Sequence, residues 1–307
     1  MKLLSVLELP DRVADRFRSR FTTIQGSLED AADVQPDILL CSIRPYRLDR
    51  AAIGKLPDSV RMIATYSVGH DHVDLVAAAE RGIAVFNTPG VLSDAVADAA
   101  MLLLLGAARR ATESIALLRE GRWTGWTPGQ LIGVELGGKT MGILGMGEIG
   151  RRVARRARAF GMDIVYHNRR EIAGEEARFQ PDPQALMAES DVVLLAWPST
   201  EGTRRFIAAE TLALARPSMI LVNIGRGDLV NDDDLIGALK EGRILAAGLD
   251  VFDGEPAIHP GYLDLPNAFL LPHIGSSTWE ARLAMADALI GAIETHVAGG
   301  MPANRIA

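Results

Sequence analysis

Three polar residues that could carry acid–base chemistry each follow an apolar, strand-like run in the second half of the chain: Arg226, Glu255 and His273. An arginine guanidinium can bind a carboxylate or polarise a carbonyl group. A histidine close to a glutamate is suited to donating a proton at neutral pH. Each residue also has a structural alternative: an ion pair for Arg226, a solvated loop acid for Glu255, and a hydrogen-bonded residue at a helix N-terminus for His273. The sequence alone does not show that they meet.

A glycine motif stands before these residues in the chain. Gly145, Gly147 and Gly150 have the spacing G-x-G-x-x-G, between the strand-like run 141–144 and a helical pattern that precedes a second strand at 164–166. In this context the glycines permit a tight turn, backbone approach to a pyrophosphate, and close packing of helix on strand. The anion then lies at the positive end of the helix. The motif predicts a dinucleotide site, the alternative being a glycine-rich turn without a ligand.

The end of the second strand bears on the choice of dinucleotide. An NAD site normally has an acidic residue there, whereas this chain has Asn168 followed by Arg169 and Arg170. Two guanidinium groups can hold a 2′-phosphate through charge-assisted hydrogen bonds. These residues predict NADPH/NADP in preference to NAD, the alternative being two solvated surface arginines.

Composition limits the class of protein. The 307 residues suggest two domains, and the formal charge of −7 argues against a partner nucleic acid. Cys41, the single cysteine, is expected to be buried, in keeping with a reducing cytoplasm. Early acidic residues argue against a signal peptide, and no apolar run reaches the length of a membrane span, so we expect a cytoplasmic protein without a membrane partner.

Strand and helix patterns alternate along the whole chain and predict an α/β fold of two doubly wound parallel-sheet domains. We expect a Rossmann cofactor domain at 99–278, with six strands, and a smaller flavodoxin-like substrate domain at 1–98 and 279–307. Long helices are predicted at 93–118 and 275–297. The ligand cleft is expected between the domains, outside the carboxyl ends of the strands.

The chain resembles the D-isomer-specific 2-hydroxyacid dehydrogenase family over essentially its whole length, and within it the NADPH-dependent glyoxylate/hydroxypyruvate reductases. The segments that carry this resemblance are 67–74, 87–92, the glycine loop, 223–227, 250–256 and 272–277. The resemblance implies that His273 donates the proton, that Glu255 supports its protonated form, and that Arg226 holds the substrate's carbonyl and carboxylate.

The resemblance also implies further ligand contacts. Val68 and Gly69 would supply backbone N–H donors to the carboxylate, and Asp250 would meet the nicotinamide carboxamide. Cofactor-lining positions would further include Met146, Glu148, Ile149, Pro198, Thr203, Ile224, Gly225 and Gly275, with Arg226 and His273 also beside the cofactor.

Two positions bear on the substrate pocket. Leu92 stands where members of the family often have Asn or Ala, so it is expected to shape the pocket, and specificity should not be transferred closely. The segment 123–128 resembles the dimer loop of the reductases, in which the second tryptophan, here Trp126, can reach the partner's active site. The alternative is that Trp123 and Trp126 only fill the interface of a homodimer.

Two clusters that resemble metal sites are interpreted otherwise. His70, Asp71 and His72 are not expected to bind a metal, because hydride transfer needs none. Residues 231–234 read as the capped, acidic first turn of a helix.

Together these features predict NADPH-dependent reduction of a small 2-ketoacid, glyoxylate or hydroxypyruvate, to the D-2-hydroxyacid. The alternatives are a dinucleotide-sensing protein like the corepressors related to this family, or another dehydrogenase of the phosphoglycerate or hydroxyphenylpyruvate reductase type.

Overall fold

The computed structural model describes residues 1–43 and 46–307, which form two compact units. The discontinuous unit comprises Met1–Ser93 and Ser276–Ala307, and the central unit comprises Asp94–Gly275. The sequence places the boundaries at 98/99 and 278/279. Asp94 is the first residue of the central unit, and its carboxylate pairs with Arg152 and Arg156 of the same unit, at 3.1 Å from a guanidinium nitrogen of each.

The discontinuous unit is built on a five-stranded parallel sheet. Its strands are β1 (Lys2–Ser5), β2 (Thr22–Gln25), β3 (Ile38–Cys41), β4 (Met62–Thr65) and β5 (Ala84–Phe86). Its helices are α1 (Asp11–Arg18), α2 (Ala31–Val34), α3 (Arg50–Lys55), α4 (Leu75–Glu80) and α11 (Trp279–Val297). The order β2-β1-β3-β4-β5 is the flavodoxin-like order.

The central unit is built on a seven-stranded parallel sheet in the order β12-β11-β10-β9-β6-β7-β8. Its strands are β6 (Thr140–Leu144), β7 (Asp163–His167), β8 (Arg178–Phe179), β9 (Val192–Leu195), β10 (Ile220–Asn223), β11 (Ala246–Leu249) and β12 (Ala268–Leu270). Its helices are α5 (Ser93–Ala108), whose first residue is counted with the other unit, α6 (Ala111–Arg119), α7 (Glu148–Ala159), α8 (Pro183–Glu189), α9 (Ala209–Leu212) and α10 (Asp232–Lys240). Short 3₁₀ turns lie at Gly227–Leu229 and Pro260–Tyr262.

The chain reverses its direction of winding between β6 and β9, which are neighbours in the sheet. In open α/β sheets such a switch point creates a crevice at the carboxyl ends of the strands, where ligands bind. β6, β9 and β10 are almost wholly buried. This burial on both faces explains why these strands are continuous apolar runs in the sequence.

The prediction of two parallel-sheet α/β domains is confirmed, but several elements differ from it. The smaller sheet has β2 and the larger sheet has β8 in addition to the predicted strands. The predicted helix 93–118 is two helices, because Arg110 adopts a left-handed backbone with φ of 53° between α5 and α6. The last helix begins at Trp279 rather than near residue 275, and the Thr278 hydroxyl caps it by accepting the Ala281 N–H at 3.1 Å.

In residues 1–43 and 46–307, no helix combines the length and the apolar character needed to cross a bilayer.

Candidate active site

The glycine loop connects β6 to α7 at the switch point of the larger sheet. Gly145 has φ of +110°, and a Cβ built there would lie 2.7 Å from the Ala196 carbonyl oxygen. A Cβ at Gly150 would lie 2.3 Å from the Gly145 carbonyl oxygen. Gly147 is different, because a Cβ there would meet no protein atom within 4 Å. Two of the glycines are therefore required by the fold of the loop, whereas the third leaves open space above its backbone.

The first turn of α7 borders this open space. Gly147 occupies the N-cap position, and no side chain caps the helix. The backbone N–H groups at such an end carry partial positive charge and can bind an anion. The loop thus has the two features that a pyrophosphate needs, room at Gly147 and uncapped amides, and the central unit fits a dinucleotide.

Asn168, Arg169 and Arg170 follow β7 beside this loop. The Asn168 Oδ1 accepts the Met146 N–H at 2.8 Å, so the asparagine holds the turn between the first two glycines. Arg169 and Arg170 are exposed, and neither forms an ion pair with any other described residue. By contrast, Arg151 and Arg158 on α7 both pair with Glu175. The two arginines at the strand end are therefore charges that the described protein leaves uncompensated.

Segments after β9 and β10 complete the expected cofactor side. The Thr203 hydroxyl donates to the Pro198 carbonyl at 2.8 Å, which ties the two predicted residues into one exposed turn. Ile224 and Gly225 are buried, and a Cβ at Gly225 would lie 2.8 Å from the Trp197 carbonyl oxygen. The β9 and β10 loops therefore pack against each other at the carboxyl end of the sheet.

Arg226 follows this buried segment and is half-buried. Its Nη1 donates to the Gly225 carbonyl at 2.8 Å. Asn223, which is wholly buried at the end of β10, donates to the Arg226 carbonyl at 2.9 Å and accepts the Gly225 N–H at 3.0 Å. Asn223 thus fixes the backbone of the arginine loop. This role was not predicted from the sequence, although a polar residue ending an apolar strand is the signal that could have indicated it.

Glu255 and His273 are brought together from different loops. The His273 Nδ1 lies 2.7 Å from the Glu255 Oε2, and the Glu255 Oε1 accepts the Phe252 N–H at 2.7 Å. Both carboxylate oxygens are therefore engaged, which fixes the glutamate. Since a carboxylate can only accept, Nδ1 carries a proton and the ring presents Nε2 as its second nitrogen. The histidine is 38% exposed, so its ring remains accessible to a ligand.

His273 has an unusual backbone, with φ of +54° in the left-handed region. Its N–H donates to the carbonyl of Asp250 at 2.8 Å. The Asp250 carboxylate, only 2% exposed, accepts the N–H groups of Ile274 and Gly275, both at 2.8 Å. Strained conformations of this kind persist where the surroundings over-determine them, and they cluster at functional sites.

Asp250 therefore braces the histidine turn, a contact that the sequence analysis did not anticipate. Burial raises the pKa of the Asp250 carboxyl group, while the two backbone N–H donors act in the opposite direction. Gly275 fits this arrangement, because a Cβ there would lie 2.9 Å from Asp250 Oδ2. The expected contact of Asp250 with a nicotinamide carboxamide remains a prediction.

In the discontinuous unit, Val68 and Gly69 lie in the loop after β4 and are half-buried. No described residue accepts a hydrogen bond from the backbone N–H of either one. Two adjacent amides without protein acceptors can bind an anion. Leu92 is 6% exposed in the turn before α5.

The predicted dimer loop belongs to the central unit. Trp123 and Trp126 are exposed, Trp126 to 79%, and they line a shallow depression of about 380 Å³ together with Leu117, Leu118 and Gln130. Large apolar residues exposed side by side are typical of a surface that another molecule covers. Whether Trp126 reaches a partner's active site remains a prediction.

Comparisons with known proteins identify the family of this chain. The family described as "D-isomer specific 2-hydroxyacid dehydrogenase, NAD binding domain" matches residues 101–275. The chain is 40% identical to a glycerate dehydrogenase of Hyphomicrobium methylovorum, over 94% of this chain and 96% of that protein. It is 45% identical to a glyoxylate reductase of Thermococcus gammatolerans, over 85% and 79% of the two chains.

Among solved structures, the fold is similar to that of an NADPH-dependent glyoxylate/hydroxypyruvate reductase from Sinorhizobium meliloti in complex with NADP and malonate. The TM-score is 0.90 and the identity 34%, with 100% of this chain and 96% of that chain covered. The matched profile spans the glycine loop as well as Arg226, Glu255 and His273. This protein belongs to the D-isomer-specific 2-hydroxyacid dehydrogenase family.

Proposed function

We propose that this protein uses NADPH to reduce a small 2-ketoacid, glyoxylate or hydroxypyruvate, to the corresponding D-2-hydroxyacid. The observation that carries the proposal is the pair formed by His273 and Glu255 at 2.7 Å, in the same unit as a loop that fits a dinucleotide. Relatives named glyoxylate reductase and glycerate dehydrogenase support the substrate class.

His273 is the proposed proton donor. When bound, the reduced nicotinamide supplies a hydride to the carbonyl carbon. His273 donates its Nε2 proton to the carbonyl oxygen, so that no alkoxide has to form in the transition state. The Glu255 carboxylate keeps the proton on Nδ1, orients the ring, and stabilises the positive charge that the histidine carries before the transfer.

Orientation of the ketoacid falls to Arg226 and to the loop at Val68 and Gly69. The Arg226 guanidinium holds the carbonyl and carboxylate oxygens through charge-assisted hydrogen bonds. The amides of Val68 and Gly69 bind the carboxylate. Fixing the carboxylate and the carbonyl oxygen together holds the carbonyl carbon in position for hydride attack, and such positioning can supply a large part of an enzyme's rate enhancement.

The proposed preference for NADPH rests on the residues that follow β7. A 2′-phosphate adds negative charge beside Asn168, where an acidic residue would repel it. Arg169 and Arg170 are both exposed at this point and have no carboxylate partner among the described residues. The Sinorhizobium meliloti reductase described as NADPH-dependent supports this preference.

A homodimer is the proposed assembly. The exposed tryptophans of the loop at 123–126 and the neighbouring Leu118, exposed to 62%, form an apolar surface that a second copy would bury. Trp126 is the residue of this surface that we propose contacts the substrate pocket of the partner subunit.

The experiment that tests the function is a panel of 2-ketoacids, namely glyoxylate, hydroxypyruvate, pyruvate and hydroxyphenylpyruvate, each with NADPH and with NADH. The proposal expects the highest kcat/KM for glyoxylate or hydroxypyruvate with NADPH. A higher value with NADH would contradict the cofactor assignment. Absence of oxidation of either cofactor with every ketoacid would contradict the enzymatic function itself.

A further inference from the structure

The amides of Val68 and Gly69 are aimed by the peptide groups to which they belong. A trans peptide is planar, and its C=O and N–H point in opposite directions. The Val68 N–H shares a peptide with the Ser67 carbonyl, and the Gly69 N–H shares one with the Val68 carbonyl. Whatever holds those two carbonyl oxygens therefore decides where the two amides point.

Both carbonyls are held by one segment, the two residues that follow β5. The Thr88 N–H donates to the Ser67 carbonyl at 3.0 Å. The Asn87 side-chain amide donates to the Val68 carbonyl at 2.9 Å. These two bonds fix the 67–68 and 68–69 peptide planes through their carbonyl oxygens, so the N–H groups of Val68 and Gly69 point away from Asn87 and Thr88. Asn87 and Thr88 are 6% and 0% exposed, so water does not compete for these bonds.

The next carbonyl, that of Gly69, is held by a buried chain of hydroxyl groups. The Ser67 Oγ donates to the Gly69 carbonyl at 2.7 Å, and the Thr65 Oγ1 lies 2.7 Å from Ser67 Oγ and 2.9 Å from His72 Nε2. A hydroxyl has one proton, and the serine's is committed to the carbonyl. Thr65 must therefore donate to Ser67, and His72 must donate through Nε2–H to Thr65.

This direction gives a chain of donors that runs from an imidazole to the loop, each bond polarising the next. Three successive carbonyls, those of residues 67, 68 and 69, thus face donors within the protein. The amides of Val68 and Gly69, on the opposite sides of the first two of these peptides, have no acceptor among the described residues.

Asn87 is in turn fixed by a residue far away in the chain. The Asn304 side chain donates to the Asn87 carbonyl at 2.8 Å, and the Asn87 N–H donates to the Asn304 carbonyl at 3.2 Å. The Ile306 N–H donates to the Val85 carbonyl at 2.8 Å, so residues 304–306 run beside the edge of β5.

We propose that Asn87 is a positioning residue for the substrate carboxylate: its side chain, carried on a backbone that Asn304 holds, sets the peptide plane that aims the Gly69 N–H, while Ser67 holds the plane that follows. This inference rests on the proposed function, because it takes the Val68 and Gly69 amides to bind the ketoacid. Asn87 touches no reacting atom and acts through the loop.

The first test is Asn87→Ala, assayed with glyoxylate and NADPH. A peptide plane that is free to turn misplaces one of two carboxylate donors, and a misplacement of about 1 Å can cost about a hundredfold. We expect KM for glyoxylate to rise by about tenfold or more, and the inhibition constant of oxamate, an unreactive ketoacid analogue, to rise in parallel. KM for NADPH should stay at the wild-type value, because the glycine loop lies in the other unit.

Ser5→Ala is the matched control. Ser5 is the last residue of β1 in the same unit and is 1% exposed. Its hydroxyl donates to the Leu7 carbonyl at 3.0 Å, just as the Ser67 hydroxyl donates to the carbonyl two residues after it. Among the described residues no hydrogen bond joins the Ser5 hydroxyl to the loop at Val68, so its removal should lower thermal stability by about as much as Ser67→Ala while leaving KM for glyoxylate unchanged. Ser67→Thr, which keeps the hydroxyl, should restore most of what Ser67→Ala loses.

The outcomes separate this inference from the proposed function. If the wild-type protein reduces no 2-ketoacid, the function and this inference fall together. If the wild type is active and folded Asn87→Ala keeps its KM for glyoxylate, or loses NADPH affinity to the same extent, the positioning role is overturned alone. Should Asn87→Ala not fold, Asn304→Ala, which removes the donor to the Asn87 carbonyl, decides by the same readout, and an unchanged KM for glyoxylate in that folded variant overturns the inference.

Discussion

Replacing Arg169 and Arg170 together by alanine tests the cofactor assignment at its physical cause. A hydrogen bond to a charged group is worth about 1.5–3 kcal/mol, and exposure to solvent puts these two near the lower end. About 1.5 kcal/mol corresponds to about tenfold in affinity, so two such bonds give about a hundredfold. We expect kcat/KM for NADPH to fall by about a hundredfold, and that for NADH to remain the same because NADH has no 2′-phosphate.

The assay is the initial rate of cofactor oxidation at saturating glyoxylate, measured across a range of salt concentrations. Screening shortens the range of the interaction from about 10 Å at 0.1 M to about 3 Å at 1 M salt. The KM of the wild-type protein for NADPH should therefore rise with salt, while that of the double variant should stay nearly constant.

Arg178→Ala is the matched control for this prediction. Arg178 is an exposed arginine on the neighbouring strand β8, but its Nη2 lies 2.6 Å from Glu189 Oε2. Its loss should leave the preference for NADPH intact. Asn168→Asp is the complementary variant, since it keeps an acceptor for the Met146 N–H while adding a charge that repels the phosphate. If the double variant keeps the wild-type ratio of kcat/KM for NADPH to that for NADH, another part of the molecule binds the 2′-phosphate and the reasoning is wrong.

Three further predictions concern single residues. His273→Asn should lower kcat by about 10²–10⁴-fold with little change in KM for NADPH, and near-normal turnover by the purified variant would exclude His273 as the acid. Gly147→Ala should keep the wild-type melting temperature but weaken NADPH binding measured by titration. Gly150→Ala, whose Cβ would lie 2.3 Å from a carbonyl oxygen, should lower the melting temperature even without cofactor. Equal effects of the two substitutions on both measurements would contradict this distinction. Burial raises the pKa of the Cys41 thiol to about 12, so about 1 thiol in 10⁴ is ionised at pH 8. A thiol reagent should therefore react with Cys41 only after the protein is unfolded by guanidinium. Prompt reaction with the folded protein would show that the cysteine is accessible.

The elements that the sequence predicted well are those whose burial is uniform. The strands β6, β9 and β10 are apolar throughout because both faces of a parallel sheet are covered, and a glycine motif between strand and helix has few other interpretations. The strands that escaped prediction lie at sheet edges: β2 is a polar Thr22–Gln25, and β8 has only two residues. The helix break at Arg110 also left no signal, because the left-handed backbone there falls on an arginine rather than on a glycine or proline.

In the candidate site, too, some residues could be predicted from the sequence and others could not. Arg226, Glu255 and His273 could be selected because polar residues at the carboxyl ends of buried strands converge on one edge of a parallel sheet. Their supports could not, since these depend on contacts between segments whose separation in sequence carries no pattern. Asn304 and Asn87, for example, are 217 positions apart. The roles of Asp250 and Asn223 as braces likewise required the hydrogen bonds to be seen.

The left-handed backbone of His273 has a consequence for how this protein can be improved. A histidine in that region carries a conformational cost of about 1–2 kcal/mol that glycine avoids. At this position, selection for thermal stability alone would therefore favour glycine over the histidine to which we assign the proton transfer. Any programme of stabilisation should hold residue 273 fixed and seek its gains at sites remote from the turn that Asp250 supports.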